Sequence, residues 1–168
     1  VDLGPEGAQG LITYMRTDST RLSADAIKDA RTLINKILGP EYIPSAPVEY
    51  RNKKNAQDAH EAIRPTSVKF TPENVMKYLD ADQFKLYELI WKRYLASQME
   101  AAVFDQTTVE IEAMAKNSTL YGYRCTGSVL RFDGYLVLWQ DEESGSDDSQ
   151  SLPELKKTTT VKCLDVAD

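Results

Sequence analysis

Apolar side chains recur at helical spacing through the first hundred residues. Ile27, Ala30, Leu33, Ile34, Ile37 and Leu38 fall on one face of a helix. Ser23 stands just ahead of them as an N-cap, and Gly39-Pro40 closes the pattern. Three prolines among residues 40–56 predict a connecting loop. Ala56–Ile63 predicts a short helix that stops before Pro65. Thr71-Pro72-Glu73 opens another, with proline at the first helical position. A longer helix is predicted from about Ala81 to Gln98. Phe84, Tyr87, Leu89, Ile90, Trp91, Tyr94 and Leu95 form its broad apolar face.

The period changes after Met99. Residues 107–115, 120–126, 128–139 and 158–166 alternate or run apolar with β-branched residues, which is strand composition. Residues 141–151 are acidic and serine-rich and predict a mobile loop. The expected class is α+β: a mainly helical domain over 1–100, then a β-rich partial domain over 101–168. At 168 residues the chain is long enough to bury a core, and no internal repeat is visible.

Charge narrows the picture only when it is divided. The chain carries a net −6, which argues against a general polyanion binder. Residues 1–70 hold ten Lys/Arg against nine Asp/Glu, whereas 71–168 hold ten against seventeen. The near-neutral half therefore has Arg16, Arg21, Arg51, Lys53, Lys54, Arg64 and Lys69 with which to build a local basic surface. Cys125 and Cys163 lie in strand-like contexts and read as a buried reduced pair, with a disulfide as the minority alternative. Two cysteines give no four-ligand spacing for zinc. No apolar run approaches the ~20 residues that cross a bilayer, and no signal-peptide pattern opens the sequence. Because Val1 is not a natural start, the chain reads as an excised piece of something longer.

The densest chemistry lies in Gly10-Leu11-Ile12-Thr13-Tyr14-Met15-Arg16-Thr17-Asp18-Ser19-Thr20-Arg21. A short apolar run delivers one tyrosine into hydroxyls, two arginines and an aspartate. A phenol with a reference pKa near ~10 is a poor nucleophile at neutrality. Fixed positive charge favours its phenolate and any anionic phosphorus centre it attacks. In an extended segment Arg16 leaves the chain on the same face as Tyr14. The bland alternative is a buried strand tyrosine followed by a polar turn, with Arg16 in a surface ion pair to Asp18. Thr17, Asp18, Ser19 and Thr20 are also suited to holding a loop through local side-chain-to-backbone bonds.

A second motif, Gln57-Asp58-Ala59-His60-Glu61-Ala62-Ile63-Arg64-Pro65-Thr66, follows. Both motifs resemble those of type IA DNA topoisomerases, in that family's order and spacing. Met after the tyrosine, and His-Glu-Ala-Ile-Arg-Pro downstream, resemble the bacterial topoisomerase I branch rather than the topoisomerase III branch. The likeness continues near Trp91 and through Leu130-Arg131-Phe132-Asp133-Gly134-Tyr135, and is weakest in the acidic stretch and the C-terminal tail.

The resemblance implies a tyrosine-bearing domain related to the catabolite-activator-protein helix-turn-helix fold, followed by part of a β-rich hinge domain. It implies Tyr14 as the nucleophile that forms a 5′-phosphotyrosine link, with Arg16 on the scissile phosphate. His60, Arg21, Arg64, Thr17 and Ser19 are the implied DNA contacts, Arg64 with less weight. The implied partners are single-stranded and negatively supercoiled DNA, together with Toprim and arch domains of the same polypeptide; a membrane is not among them. Mg²⁺ would serve the full-length enzyme through ligands outside this chain, with no ATP and no zinc. The expected location is cytoplasmic, on the nucleoid. The alternative reading is a non-catalytic helix-turn-helix-like DNA-binding or scaffold module.

Other features carry structural readings beside functional ones. His60 is the sole histidine and is able to switch charge near neutrality. Glu61 and Arg64, three residues apart, suit a helix pair. Asp80-Ala81-Asp82 mimics the family's Asp-x-Asp magnesium motif, but Gln83 makes Asp80 a capping-box residue. Tyr87, Trp91 and Tyr94 are able to stack on bases, but their helical spacing favours the core. Residues 131–134 read as strand around a glycine bend.

Overall fold

A computed structural model describes residues 1–50, 60–139, 156 and 159–162. The described chain is α+β and forms two compact units. One comprises Val1–Ala102 with the return segment that starts at Asp133, and the other is built on Val103–Phe132.

The first unit rests on two long helices, α1 (Ala24–Ile37) and α3 (Ala81–Ala96), with a single-turn helix α2 (Pro72–Val75) between them. Each long helix begins where its local chemistry directs. The Ser23 hydroxyl accepts the Ala26 N–H. Asp80 accepts from Asp82 and Gln83 N–H, while the Gln83 side chain accepts the Asp80 N–H, a complete capping box. The Asp80-Ala81-Asp82 carboxylates thus start a helix. Gly39, at φ +117°, ends the first helix in a conformation that side chains resist.

Ala26, Ala30 and Ile34 of α1 meet Tyr87, Trp91, Tyr94 and Leu95 of α3 in the core, with Leu3, Leu11, Val75 and Met99. The aromatic residues of α3 are core rather than base platforms. The Tyr94 hydroxyl donates to the Ala26 carbonyl at 2.6 Å, tying the helices together, and Tyr87 donates to the Phe70 carbonyl. Burial pushes both phenols up to about 12. Ile37 and Leu89, predicted on the apolar faces, are exposed: Ile37 is the last residue of α1, and Leu89, two residues from both Tyr87 and Trp91, faces away from them. Gln98 is fully buried and exchanges two hydrogen bonds with the Val48 backbone, which fixes the loop after α1.

Two sequence expectations give way here. Residues 60–63, assigned to the end of a short helix, are not helical, and Ile63 is a bend. Their backbone groups bond to distant segments instead of to a helical turn: Ala62 N–H donates to the Arg21 carbonyl, and the Ala62 carbonyl accepts from Thr13. Residues 51–59 lie outside the described part, and with them Arg51, Lys53 and Lys54. The predicted strand 128–139 divides at Asp133. Gly134 has φ +50°, and a Cβ there would lie 2.6 Å from the backbone of Glu100 and Ala101. Only glycine allows that approach, and the chain turns into a short 3-10 helix, Gly134–Val137, held by Tyr135 N–H to the Glu100 carbonyl and by Tyr42 to Asp133.

The second unit is an antiparallel ribbon of β1 (Val103–Met114) and β2 (Leu120–Phe132), with Val109 opposite Cys125 and Ile111 opposite Tyr123. Alternation sorts its faces. One carries Val109, Ile111, Tyr121, Tyr123 and Val129, and the other pairs Glu110 with Arg124 at 2.9 Å and Thr108 with Thr126. Cys125 is half-buried on the face that carries Val109 and Ile111. Cys163 and the acidic stretch 141–151 lie outside the described residues. Of the predicted strand 158–166, residues 159–162 are described and are not strand.

Candidate active site

The two motifs are stitched together by backbone pairing. Ile12 and Pro65 form an antiparallel bridge, flanked by Thr13 N–H to the Arg64 carbonyl at 2.9 Å and Thr66 N–H to the Leu11 carbonyl at 3.0 Å. Two hydroxyls then stake the loop between them at both ends. Thr13 Oγ1 donates to the Ala62 carbonyl at 2.9 Å and accepts the Arg64 N–H at 3.0 Å. Ser19 Oγ donates to the His60 carbonyl at 2.8 Å and accepts the Arg21 N–H at 3.2 Å. Tyr14–Asp18 is thereby thrown outward from a fixed base. Pairing an extended segment this way satisfies backbone groups that a helix would otherwise bond internally.

Tyr14 is 76% exposed and Met15 75%, so neither is held by packing. Tyr14, Arg16, His60, Thr13 and Glu61 line one cavity of about 200 Å³. His60 Nδ1 lies 3.1 Å from Asp18 Oδ2, and Arg16 Nη1 lies 3.4 Å from His60 Nε2. A guanidinium only donates, so Nε2 is the acceptor and Nδ1–H donates to Asp18. This network selects one neutral imidazole tautomer. Asp18 Oδ2 also lies 3.9 Å from Arg16 Nε, so the predicted ion pair exists alongside the histidine contact. Asp18 Oδ1 is buried without a hydrogen-bond partner among the described residues.

The predicted DNA contacts separate by exposure. Arg16, Thr17 and Arg21 are exposed, and His60 is half-buried beside Tyr14. Arg64 is turned inward: Nε and Nη2 donate to Glu61 Oε2 at 3.1 and 2.8 Å, and Nη1 donates to the Pro65 carbonyl at 2.9 Å. Its side chain is only 16% exposed and bonds within the chain. Burial acts to raise the Glu61 pKa. Hydrogen bonding and charge from Arg64, with help from Ser23 and Arg21, outweigh it and hold the carboxyl below its ordinary value. Ser19 is 6% exposed, and its hydroxyl serves the loop base rather than the surface. Thr13 was not singled out in the sequence, although it directly precedes the tyrosine. Its role depends on partners about fifty residues away, which no local pattern reveals.

Among the described residues no group of three or more His, Cys, Asp or Glu is placed to hold a metal ion. None of their helices is long and apolar enough to cross a membrane.

Residues 6–167 match a protein-family model described as DNA topoisomerase. The chain is 42% identical over 169 residues to DNA topoisomerase 1 of Rickettsia felis, covering 99% of this chain and 21% of that protein. It is 44% identical to DNA topoisomerase 1 of Thermotoga maritima over 159 residues, covering 94% of this chain and 24% of that protein. The solved full-length topoisomerase I from Thermotoga maritima matches 83% of this chain at a TM-score of 0.65 and 43% identity, over 21% of its own length. The chain thus spans about a fifth of the length of such relatives.

Proposed function

This chain belongs to the bacterial DNA topoisomerase family, and from that premise we propose that it is the strand-cleaving part of a type IA enzyme, with Tyr14 as nucleophile. The observation that carries the reading is that an exposed Tyr14 phenol, Arg16 and His60 share one cavity. Tyr14 Oη attacks the phosphorus of a DNA phosphodiester in line. The bond from phosphorus to the 3′ oxygen breaks, the 3′ oxygen takes up a proton and the phenolic proton is lost. The product is a 5′-phosphotyrosine and a free 3′ hydroxyl. A second strand passes, the 3′ hydroxyl attacks the phosphotyrosine, and Tyr14 is released. One phosphodiester is exchanged for another of similar energy, so relaxation of negatively supercoiled DNA proceeds without ATP.

Arg16 is the group suited to the transferring phosphate, because its fork of donors matches two phosphate oxygens and it keeps its charge. His60 accepts from Arg16 through Nε2 and so helps to orient it. Asp18 fixes the imidazole. Among the described residues no three His, Cys, Asp or Glu gather to hold a magnesium ion; beside Tyr14, Asp18 Oδ2 is engaged by His60 and Arg16, and Glu61 by Arg64. In this reading the metal ligands, and the groups that move protons to and from the reacting oxygens, belong to other parts of the polypeptide. The chain alone is then inactive, and plasmid relaxation by purified residues 1–168 with Mg²⁺ would overturn that. The direct test uses the polypeptide at the full length of its relatives. Single-stranded DNA labelled 3′ of the cleavage site should give a denaturant-stable protein–DNA adduct, and Tyr14→Phe should abolish it while sparing DNA binding. An adduct that survives Tyr14→Phe rejects the assignment.

A further inference from the structure

A second cavity, of about 400 Å³, opens in the same unit beside the crossing of the two motifs. Leu22 and Ile63 line it on either side of the bond from Ala62 N–H to the Arg21 carbonyl, and Tyr50, Tyr135 and Arg93 complete its mouth. Nothing in the cleavage reading uses it. Its size falls within the ~300–1,000 Å³ of small-ligand sites, and its walls are mainly aromatic and aliphatic. Two of its groups are held ready. Tyr50 is half exposed, yet its hydroxyl donates to the Ser97 carbonyl at 3.0 Å, which fixes the ring at the rim. The Arg93 guanidinium stacks 4.8 Å from the centre of the Trp139 ring. Stacking occupies the flat face of a guanidinium and leaves its N–H groups available, and no hydrogen bond or ion pair engages them among the described residues.

A preset aromatic ring beside an available cationic fork matches a planar ring joined to an anion. We propose that this cavity is a subsite for one unpaired nucleotide of single-stranded DNA, with its base against Tyr50 and Tyr135 and its phosphate on Arg93. This rests on the reading of the chain as a DNA-cleaving unit and deepens it, because the cavity is built on the segments that carry Tyr14 and His60. A base seated there anchors the strand at a point set by the protein rather than by sequence, since every base offers a flat face.

The test titrates residues 1–168 with an eight-nucleotide oligothymidylate, with thymidine monophosphate and with inorganic phosphate, reading backbone amide shifts. The oligonucleotide should shift resonances around Tyr50, Ile63 and Tyr135. Tyr50→Ala should weaken its binding on the order of tenfold, as expected for loss of one stacking partner. Tyr50→Phe, which keeps the ring, should stay within about twofold, and Arg93→Gln should weaken binding and flatten its salt dependence. Circular dichroism establishes that each variant is folded. Unchanged affinity in folded Tyr50→Ala overturns the proposal. So does a cavity that takes the mononucleotide but excludes the oligonucleotide, which would mark a site for a free small molecule. If the full-length polypeptide still forms the Tyr14 adduct while Tyr50→Ala binds like the parent, the subsite alone has failed. If no adduct forms, the cleavage reading has failed.

Discussion

Arg16 and Arg64 sit on the two motifs that cross in the site, yet they are used in opposite ways. The Arg16 side chain is half exposed and, among the described residues, meets a 3.4 Å contact to His60 and a 3.9 Å contact to Asp18. Arg64 is 16% exposed and donates three hydrogen bonds of 2.8–3.1 Å to Glu61 and Pro65. A guanidinium with three of its five N–H donors engaged and its side chain largely buried has little left to offer a ligand. A weakly held one can exchange its present contacts for phosphate at little cost. The site therefore separates an outer rim of available chemistry from an inner frame of satisfied bonds, and the largest consequences should divide along that line.

The largest effect is expected at the rim. In the full-length polypeptide, Arg16→Ala should slow the cleavage–religation cycle by roughly 10²–10³-fold, the usual loss when one transition-state donor is removed. Stability should change by no more than about 0.5 kcal/mol, because an exposed side chain leaves nothing buried behind. Single-turnover religation and a thermal melt measure the two together. Equal damage to both would erase the distinction between rim and frame.

Arg64→Ala should show the reverse pattern. It leaves the Glu61 carboxylate and the Pro65 carbonyl partly buried without their donor, and a loss of about 2–3 kcal/mol is expected by denaturant titration. Below the melting transition the fraction of molecules forming the Tyr14 adduct should remain near that of the parent. A stable Arg64→Ala protein that no longer binds single-stranded DNA would restore Arg64 to the DNA-contacting set.

Ser19→Ala is the intermediate case, because the hydroxyl is buried in the frame but holds the segment that bears His60. Loss of its bonds to the His60 carbonyl and the Arg21 N–H should cost about 1–2 kcal/mol. It should also loosen His60, so the imidazole resonances should broaden. If only stability falls and the His60 environment is unchanged, the loop does not depend on this stake.

The contrast between rim and frame also marks what the sequence made legible. Signals completed within one helical turn could be read directly: Ser23 capping α1, and Asp80 with Gln83 boxing α3. Tyr14, Arg16 and His60 were visible as motif residues, and the structure brings all three to one cavity. The frame was harder to read, since Thr13 and Ser19 act on carbonyls more than forty residues away. The same distance effect takes residues 60–63 out of the expected helix. Ile37 and Leu89 show a second limit, because an apolar residue in a helix need not reach the core: Ile37 stands at the last position of α1, and Leu89 faces away from Tyr87 and Trp91. Gly134 shows a third. A strand-like sequence ends where backbone must approach backbone, and only the tertiary contact with Ala101 reveals the need.

The smallest predicted effect tests the frame through pH. Arg64 holds the Glu61 pKa below its unfolded value near ~4.3, despite burial. A depressed carboxylate pKa contributes stability above the unfolded value, and that contribution fades as pH falls through the folded value. Glu61→Gln removes the charge and with it this pH dependence. The melting temperature of the parent should therefore exceed that of Glu61→Gln at pH 7, with the gap narrowing as the pH is lowered below about 4. Tyr87 and Tyr94, with pKa values raised to about 12, lose their contribution only as pH rises above ~10, so they leave the acid window undisturbed. A gap that stays constant between pH 7 and about 3 would mean that the Glu61–Arg64 pair contributes shape but no charge-dependent stability. In that case the inner frame would rest on the Thr13 and Ser19 stakes alone, and Arg64→Ala should then cost no more than Ser19→Ala.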